Sequence, residues 1–277
     1  MVVIPGGGTF GMEAIARQFA DNKKCLVVRN GWFSYRWSQI LDQGKIAAET
    51  KVIKATRDQK NRDAAFSPAD VKEVIKQIKS QKPDVVFAPH VETSAGLLIP
   101  DSYLEAISTA VHEIGGIFVL DCVASGALWV DMKKTGVDVL LSAPQKGWSS
   151  SPCSGLVMLS ENASQLIRNT KSSSYVCDLL KWLQIMEAYE GGGHAYHSTM
   201  PTDSLAKFRD TLVETEEYGF EKTRQEQIDL GQKVRNLLES KGFKSVAAEG
   251  FQAPSVVVSY TDNPEMKSGK LFCLLYT

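Results

Sequence analysis

The 277-residue chain lacks any apolar run long enough to cross a bilayer as a helix. Its opening, Met1-Val2-Val3-Ile4-Pro5-Gly6, has no basic region followed by a long apolar core, so it does not read as a secretion signal. A charge excess is missing too. Lys plus Arg number 31, Asp plus Glu number 32, and the net charge is −1, which points away from nucleic-acid and anionic-membrane partners. Cysteine is scarce and odd in number: Cys25, Cys122, Cys153, Cys177 and Cys273 make five, with no CxxC or metal-ligand spacing. Reduced thiols in a cytoplasmic protein without a bound metal are the expectation. There is no internal repeat and no low-complexity linker.

What is present is an alternation of short apolar runs and helical segments. Strands are expected at 2–4, 25–29, 51–54, 84–88, 117–121, 137–141 and 155–159. Helices are expected at 10–20, 35–43, 68–80, 102–114, 163–170, 177–189, 204–217 and 221–241. Such alternation predicts an α/β fold with a doubly wound, mostly parallel seven-stranded sheet. Ser67-Pro68 offers a cap and a first helical proline for the third helix, and Pro100-Asp101-Ser102 does similar work for the fourth. Gly242 is placed to end the long helix. The strand-like run 255–260 then suggests the start of a smaller α+β domain.

Chemistry concentrates in one ordered pair. Asp121 ends the run Gly116-Ile117-Phe118-Val119-Leu120, and Lys146 lies just past the next run, 137–141. Both runs read as buried parallel strands, and ligands of open α/β sheets bind at the carboxyl edge. An acid and an amine delivered there are what pyridoxal phosphate requires, one to hold the pyridine nitrogen protonated and one to form the Schiff base. A lysine directly after a buried strand, followed by Gly147 and Trp148, is expected to be partly desolvated and free for imine chemistry. Taken alone, Asp121 reads equally as a turn former; the matching position of Lys146 one strand later favours the functional role.

Other segments fall at the same edge. Gly6-Gly7-Gly8-Thr9 joins a strand to a helix, which suits either an anion cradle or a tight turn. Asn30-Gly31-Trp32-Phe33-Ser34-Tyr35-Arg36-Trp37 is dense in aromatics, most expected in the core and at most one facing a planar ligand. His90-Val91-Glu92-Thr93-Ser94-Ala95-Gly96 offers hydroxyls, with His90 expected to be a structural hydrogen-bonder. Cys122 is expected to be a small buried side chain. Gly191-Gly192-Gly193-His194-Ala195-Tyr196-His197-Ser198-Thr199-Met200-Pro201 is a polar glycine-rich stretch between helices, without metal-ligand spacing.

As an ordered set these segments resemble the class V family of pyridoxal-phosphate aminotransferases of fold type I, in particular its alanine–glyoxylate and serine–pyruvate members. The matching stretches are Gly6-Gly7-Gly8-Thr9 with Met12-Glu13-Ala14, Asn30-Gly31-Trp32-Phe33, 90–96, Asp121-Cys122-Val123-Ala124-Ser125, Ser142-Ala143-Pro144-Gln145-Lys146 and Tyr196 to Pro201. The resemblance implies that Lys146 is the Schiff-base lysine (internal aldimine) and proton shuttle, that Asp121 pairs with the pyridine nitrogen, and that Val123 and Phe33 lie on the two ring faces. It implies that Thr93 bonds the phenolic oxygen and that Gly7, Gly8, Thr9 and Gln145 hold the phosphate. Tyr196 and Thr199 would reach the phosphate in a neighbouring subunit, making a homodimer with shared sites. It further implies a pyridoxal-phosphate-binding large domain over 1–217, a partial small domain over 218–277 that includes the long connecting helix, and transfer of an amino group from an alanine- or serine-type amino acid to a glyoxylate- or pyruvate-type 2-oxo acid.

Two departures from the family pattern are visible. The N-terminal segment with which relatives begin, ahead of the glycine turn, is not seen in this sequence, and no arginine follows Arg235, although relatives clamp the substrate carboxylate with one in the C-terminal domain. The chain is therefore expected to be shortened at both ends, closing on the apolar stretch Lys270-Leu271-Phe272-Cys273-Leu274-Leu275-Tyr276-Thr277, and an organellar location would follow had a targeting segment been lost. The alternatives are a non-catalytic short form of such an enzyme and a cysteine desulfurase or lyase of the same fold. Gln145 stands where desulfurases usually place a histidine, and no cysteine falls in a suitable loop.

Overall fold

The computed structural model describes residues 1–262; the closing stretch 270–277, with Cys273, lies outside them. In chain order the elements are β1 (Val2–Pro5), α1 (Gly8–Phe19), β2 (Lys24–Arg29), α2 (Trp32–Gln43), β3 (Glu49–Lys54), α3 (Val71–Gln81), β4 (Val85–Pro89), β5 (Val91–Glu92), β6 (Leu97–Leu98), α4 (Asp101–Glu113), β7 (Ile117–Asp121), α5 (Met132–Thr135), β8 (Val139–Ser142), β9 (Ser154–Leu159), α6 (Glu161–Leu166), α7 (Leu179–Glu190), α8 (Thr202–Tyr218) and α9 (Phe220–Ser240). Seven strands form one sheet in the order β1-β9-β8-β7-β4-β2-β3. Strands β8, β7, β4, β2 and β3 run parallel, while β9 is antiparallel to both β8 and β1. Every strand expected from the sequence is in this sheet.

Both faces of the sheet are covered, which is why its strands are almost continuously apolar. Val27, Phe87, Val119, Val139 and Leu141 belong to the core beneath α1, α2 and α7. Their chain neighbours Leu26, Val28, Val86, Phe118, Leu120 and Leu140 belong to the core on the opposite face, with α3 and α4. Successive residues of one strand thus divide between two cores, as a period of two requires.

Several expected boundaries move for local reasons. The third helix is capped by Asp70, whose carboxylate accepts from the Lys72 N–H at 2.8 Å. Ser67 is instead paired with Thr56 in an isolated bridge, so the Ser67-Pro68 start is not used. The fourth helix begins at Asp101 after Pro100, without a side-chain cap. At the end of α9 the Phe243 N–H reaches the Leu238 carbonyl and Gly242 takes a φ of +85°, the expected glycine stop. The run 255–260 is not a strand: its ladder contact is the single bridge Ser245↔Ser259. Two elements had no expected counterpart, the helix α5 and the hairpin β5–β6.

Beyond α9 the chain folds back on that hairpin. Ala95, Leu97, Val246 and Ala247 form a third small core with Phe66, Phe251, Val258 and Tyr260 packed against it.

The position of α1 depends on one close approach. A Cβ at Gly155 would lie 3.1 Å from Gly11 Cα and 3.2 Å from the Gly7 carbonyl oxygen, both backbone atoms. Gly155→Ala is therefore expected to push α1 off the sheet and lower the unfolding free energy by about 2 kcal/mol, measured by denaturant titration.

Candidate active site

At the carboxyl edge of the parallel strands lies a cavity of ≈ 160 Å³ lined by Gly8, Thr9, Met12, Phe33, Arg36, Val91, Thr93, Asp121, Val123, Ala124, Gln145 and Lys146. Eight residues anticipated from the sequence meet there: Gly8, Thr9, Phe33, Thr93, Asp121, Val123, Gln145 and Lys146. Gly7 caps α1 at its rim, and a Cβ there would lie 3.7 Å from Gln145 Nε2. Tyr196 and Thr199 stand apart. Tyr196 is 80% exposed, in a depression shared with Tyr175, Asp178 and His197, and Thr199 is exposed as well.

Asp121 is delivered by the last residue of β7 and is only 8% exposed. Its Oδ1 accepts the Val123 N–H at 3.0 Å. Burial dominates its acidity, pushing the carboxyl up to about 6 against the Val123 hydrogen bond; Glu92 raises it further and Arg36 opposes. Val123 also closes the floor beneath α1, since a Cβ on Gly8 would meet Val123 Cγ2 at 2.8 Å.

Lys146 stands four residues past β8 and is exposed rather than desolvated. The reason is its place between two openings: it also lines a second cavity of ≈ 360 Å³ with Thr93, Ala124, Ser149, Thr223, Gln227 and Ser255 among others. The loop that carries it is pinned from behind. Trp148 stacks on Trp129 with ring centroids 4.8 Å apart, and the Trp148 Nε1–H donates to Ser142 Oγ at 3.1 Å. Phe208 and Phe220 close the edges of this cluster. Gly147 permits the contact, because a Cβ there would lie 2.3 Å from the Gly126 carbonyl oxygen.

Of the aromatics in 32–37, only Trp37 is fully buried; Phe33 lines the cavity, Tyr35 is half-buried and Trp32 is 61% exposed. The expectation that most of them are core is thus corrected: they start a helix whose N-terminal turn stands at the sheet edge. His90 behaves as expected, buried with Nδ1 2.7 Å from Ser125 Oγ. Cys122 is buried. Sequence reasoning missed Met12, Val91, Ala124 and, most consequentially, Arg36. Its guanidinium lies 5.1 Å from the Phe33 ring centroid and donates to Thr9 Oγ1 at 2.9 Å. The i, i+3 spacing from Phe33 was the available signal.

One cavity wall thus brings together an acid, an amine, an aromatic ring and a valine, with a helix start free of any side-chain cap beside Gln145. The chain matches the profile of the aminotransferase class-V family over residues 2–264, and it belongs to that family. It is 30% identical over 267 residues to alanine–glyoxylate aminotransferase 1 of Saccharomyces cerevisiae, covering 92% of this chain and 63% of that protein. It is 26% identical over 264 residues to 2-aminoethylphosphonate–pyruvate transaminase of Vibrio vulnificus, covering 94% of this chain and 67% of that one. Among solved structures it resembles the alanine–glyoxylate aminotransferase of Nostoc sp., with a TM-score of 0.82 and 22% identity over 98% of this chain and 69% of the other. The fold is that of the fold type I aminotransferases. The chain spans less than two thirds of the length of the yeast relative.

Two buried titratable groups at this edge, Asp121 and His90, impose opposite pH dependences. Asp121 rises from 3.8 to about 6, so its folded form holds a proton that the unfolded chain has released. It contributes stability below pH 4 that is lost as pH climbs through 6, about 3 kcal/mol. Burial lowers His90 from 6.5 to about 4, so it contributes stability above pH 6.5 that is lost as pH falls toward 4, also about 3 kcal/mol. In the cofactor-free chain the two slopes cancel. Asp121→Asn removes one of them, and its unfolding free energy is expected to drop by about 3 kcal/mol more than wild type between pH 6.5 and 4, read from urea titrations at both pH values.

Proposed function

We propose that this chain is a pyridoxal-phosphate aminotransferase subunit that moves an amino group from a small amino acid, of the alanine or serine type, to a 2-oxo acid of the glyoxylate or pyruvate type. The observation that carries the reading is the convergence of Asp121, Lys146, Phe33, Val123, Thr93 and Gln145 on one cavity beside the glycine turn of α1. The alanine–glyoxylate and aminoethylphosphonate–pyruvate enzymes among its relatives support the substrate class.

The residues fit the cofactor. Gln145 brings a donor beside the start of α1, its Nε2 lying 3.7 Å from where a Cβ on Gly7 would stand. The start of α1 has no side-chain cap, so its N–H groups are open to an anion. Gly7, Gly8, Thr9 and Gln145 would hold the phosphate, Thr93 the phenolic oxygen, and Phe33 and Val123 the ring faces. When bound, pyridoxal phosphate supplies an aldehyde for exchange between amines and a ring that accepts the electron pair of a breaking Cα–H bond. Asp121 keeps a proton at the ring nitrogen: the Val123 N–H fixes Oδ1, and Oδ2 has no protein donor among the described residues. Lys146, bordering both cavities, provides the amine and carries a proton at Nζ between substrate carbons.

The exposed positions of Tyr196 and Thr199, away from this cavity, fit service to a second subunit, and we take a homodimer as the working unit. We likewise assign 1–217 to the cofactor-binding domain, 218–277 to the small domain, and the protein to the cytoplasm. Among the described residues no helix is long and apolar enough to cross a membrane. No cysteine among them lines the cavity, which disfavours a desulfurase.

Incubation with pyridoxal phosphate followed by borohydride reduction is expected to leave the cofactor on the peptide containing Lys146, and Lys146→Ala is expected to lose both this label and the visible absorption. Labelling of a different lysine, or a colourless wild type, would overturn the assignment. Amino transfer from alanine or serine to glyoxylate should fall by at least a thousandfold in Lys146→Ala, measured by product formation.

A further inference from the structure

The N-terminus of α2 is organised around a carboxylate that the proposed reaction does not use. Glu92 is 0% exposed and forms no ion pair among the described residues. Oε2 accepts the Ser34 N–H at 2.8 Å and the Ser34 hydroxyl at 2.6 Å. Oε1 accepts the Phe33 N–H at 3.1 Å, the Ser94 N–H at 3.2 Å and the Ser94 hydroxyl at 2.7 Å. The two hydroxyls extend its reach. Ser34 Oγ accepts the Asn30 and Gly31 N–H groups, at 2.9 and 3.1 Å, and Ser94 Oγ accepts the Trp32 N–H at 2.9 Å. Five consecutive backbone donors, 30 to 34, are therefore satisfied by one cluster. A helix start leaves such donors unpaired, and negative charge there is favourable.

The cluster joins two pieces that the candidate site needs on opposite walls. Phe33 is in the first turn of α2, and Thr93 lies between Glu92 and Ser94 in the β5–β6 hairpin; both line the cavity. Gly31 makes room: a Cβ there would fall 2.3 Å from Ser94 Oγ and 2.7 Å from Glu92 Cγ. We infer that Glu92 is a positioning residue, a buried carboxylate that fastens the start of α2 to the hairpin and so holds the Phe33 ring and the Thr93 hydroxyl in register for the cofactor. This rests on the reading of the cavity as a pyridoxal-phosphate site.

Glu92→Gln keeps the size but puts an NH2 group where one carboxylate oxygen accepts two or three of those five hydrogen bonds, so the clamp opens. Two readouts on the full chain test it: the dissociation constant of added pyridoxal phosphate, by absorption, and amide hydrogen exchange at 32–34. The variant is expected to bind pyridoxal phosphate roughly ten- to a hundredfold more weakly and to exchange faster at 32–34, with β7 still protected. Asp70→Ala, which removes the cap of a distant helix, serves as the stability control and is expected to bind as wild type does. Equal weakening in Asp70→Ala, or wild-type affinity in Glu92→Gln, overturns the inference. Should Glu92→Gln fail to fold, Ser94→Ala removes only the hairpin side; about threefold weaker binding supports the clamp, and wild-type binding overturns it. Failure of the functional reading looks different: the wild type itself takes up no pyridoxal phosphate, while faster exchange at 32–34 in Glu92→Gln still reports the clamp.

Discussion

A carboxylate buried at the end of a central strand, with one backbone hydrogen bond to support it, is the constraint around which this molecule is arranged. Asp121 has parallel neighbours on both sides, β4 and β8, and is only 8% exposed, so bulk water barely reaches it. The chain could have lowered its cost with more donors. It supplies one, from Val123, and leaves the acid with a raised proton affinity. A group held this way is poorly suited to stabilising the empty fold and well suited to sharing a proton with a basic nitrogen placed against it.

The contrast with Glu92 makes the point. Both are buried carboxylates that end strands, Asp121 in β7 and Glu92 in β5, yet Glu92 accepts five hydrogen bonds and faces a helix start. One acid is saturated by the protein and fixes geometry. The other is left with an open oxygen and faces the cavity. Arg36 belongs to the same division of labour, bound to Thr9 and spread over Phe33, so that the helix carrying the ring is also tied to the glycine turn of α1.

Much of this was legible in the chain because buried parallel strands write themselves as unbroken apolar runs, and such runs end where ligands bind. The central parallel strands follow from that rule, with Asp121 at the end of β7 and Lys146 four residues past β8; the antiparallel β9 and the short β1 were legible as apolar runs as well. The proposed phosphate cradle was visible less directly, since a glycine turn before a helix suits anion binding only when a site is opposite it. What could not be seen are contacts made by residues distant in sequence. Glu92 meets Ser34, and Ser94 meets Trp32, across a separation of about sixty positions, and no local pattern encodes that. The cap of α3 failed for a similar reason: Ser67 is drawn into a bridge with Thr56, so the helix waits for Asp70. The exposure of Lys146 also depends on a second cavity that α9 and the segment after it help to form.

That second cavity shows how the two ends of the proposed site differ. Its walls carry hydroxyls from Thr93, Ser149, Thr223 and Ser255 and the Gln227 amide, and Lys146 is its one charged residue. Arg235, the last arginine of the chain, is not available to it. It is 4% exposed, its Nη2 donates to the Ala253 carbonyl at 2.9 Å and its Nη1 to Ser245 Oγ at 3.1 Å. A guanidinium spent on backbone and hydroxyl oxygens inside the α9 packing holds the following segment in place; it cannot also form a bidentate pair with a substrate carboxylate. Among the described residues Arg36 is the one guanidinium lining either cavity, and it is bound to Thr9 and spread over Phe33 rather than placed on the wall that Thr223, Gln227 and Ser255 form.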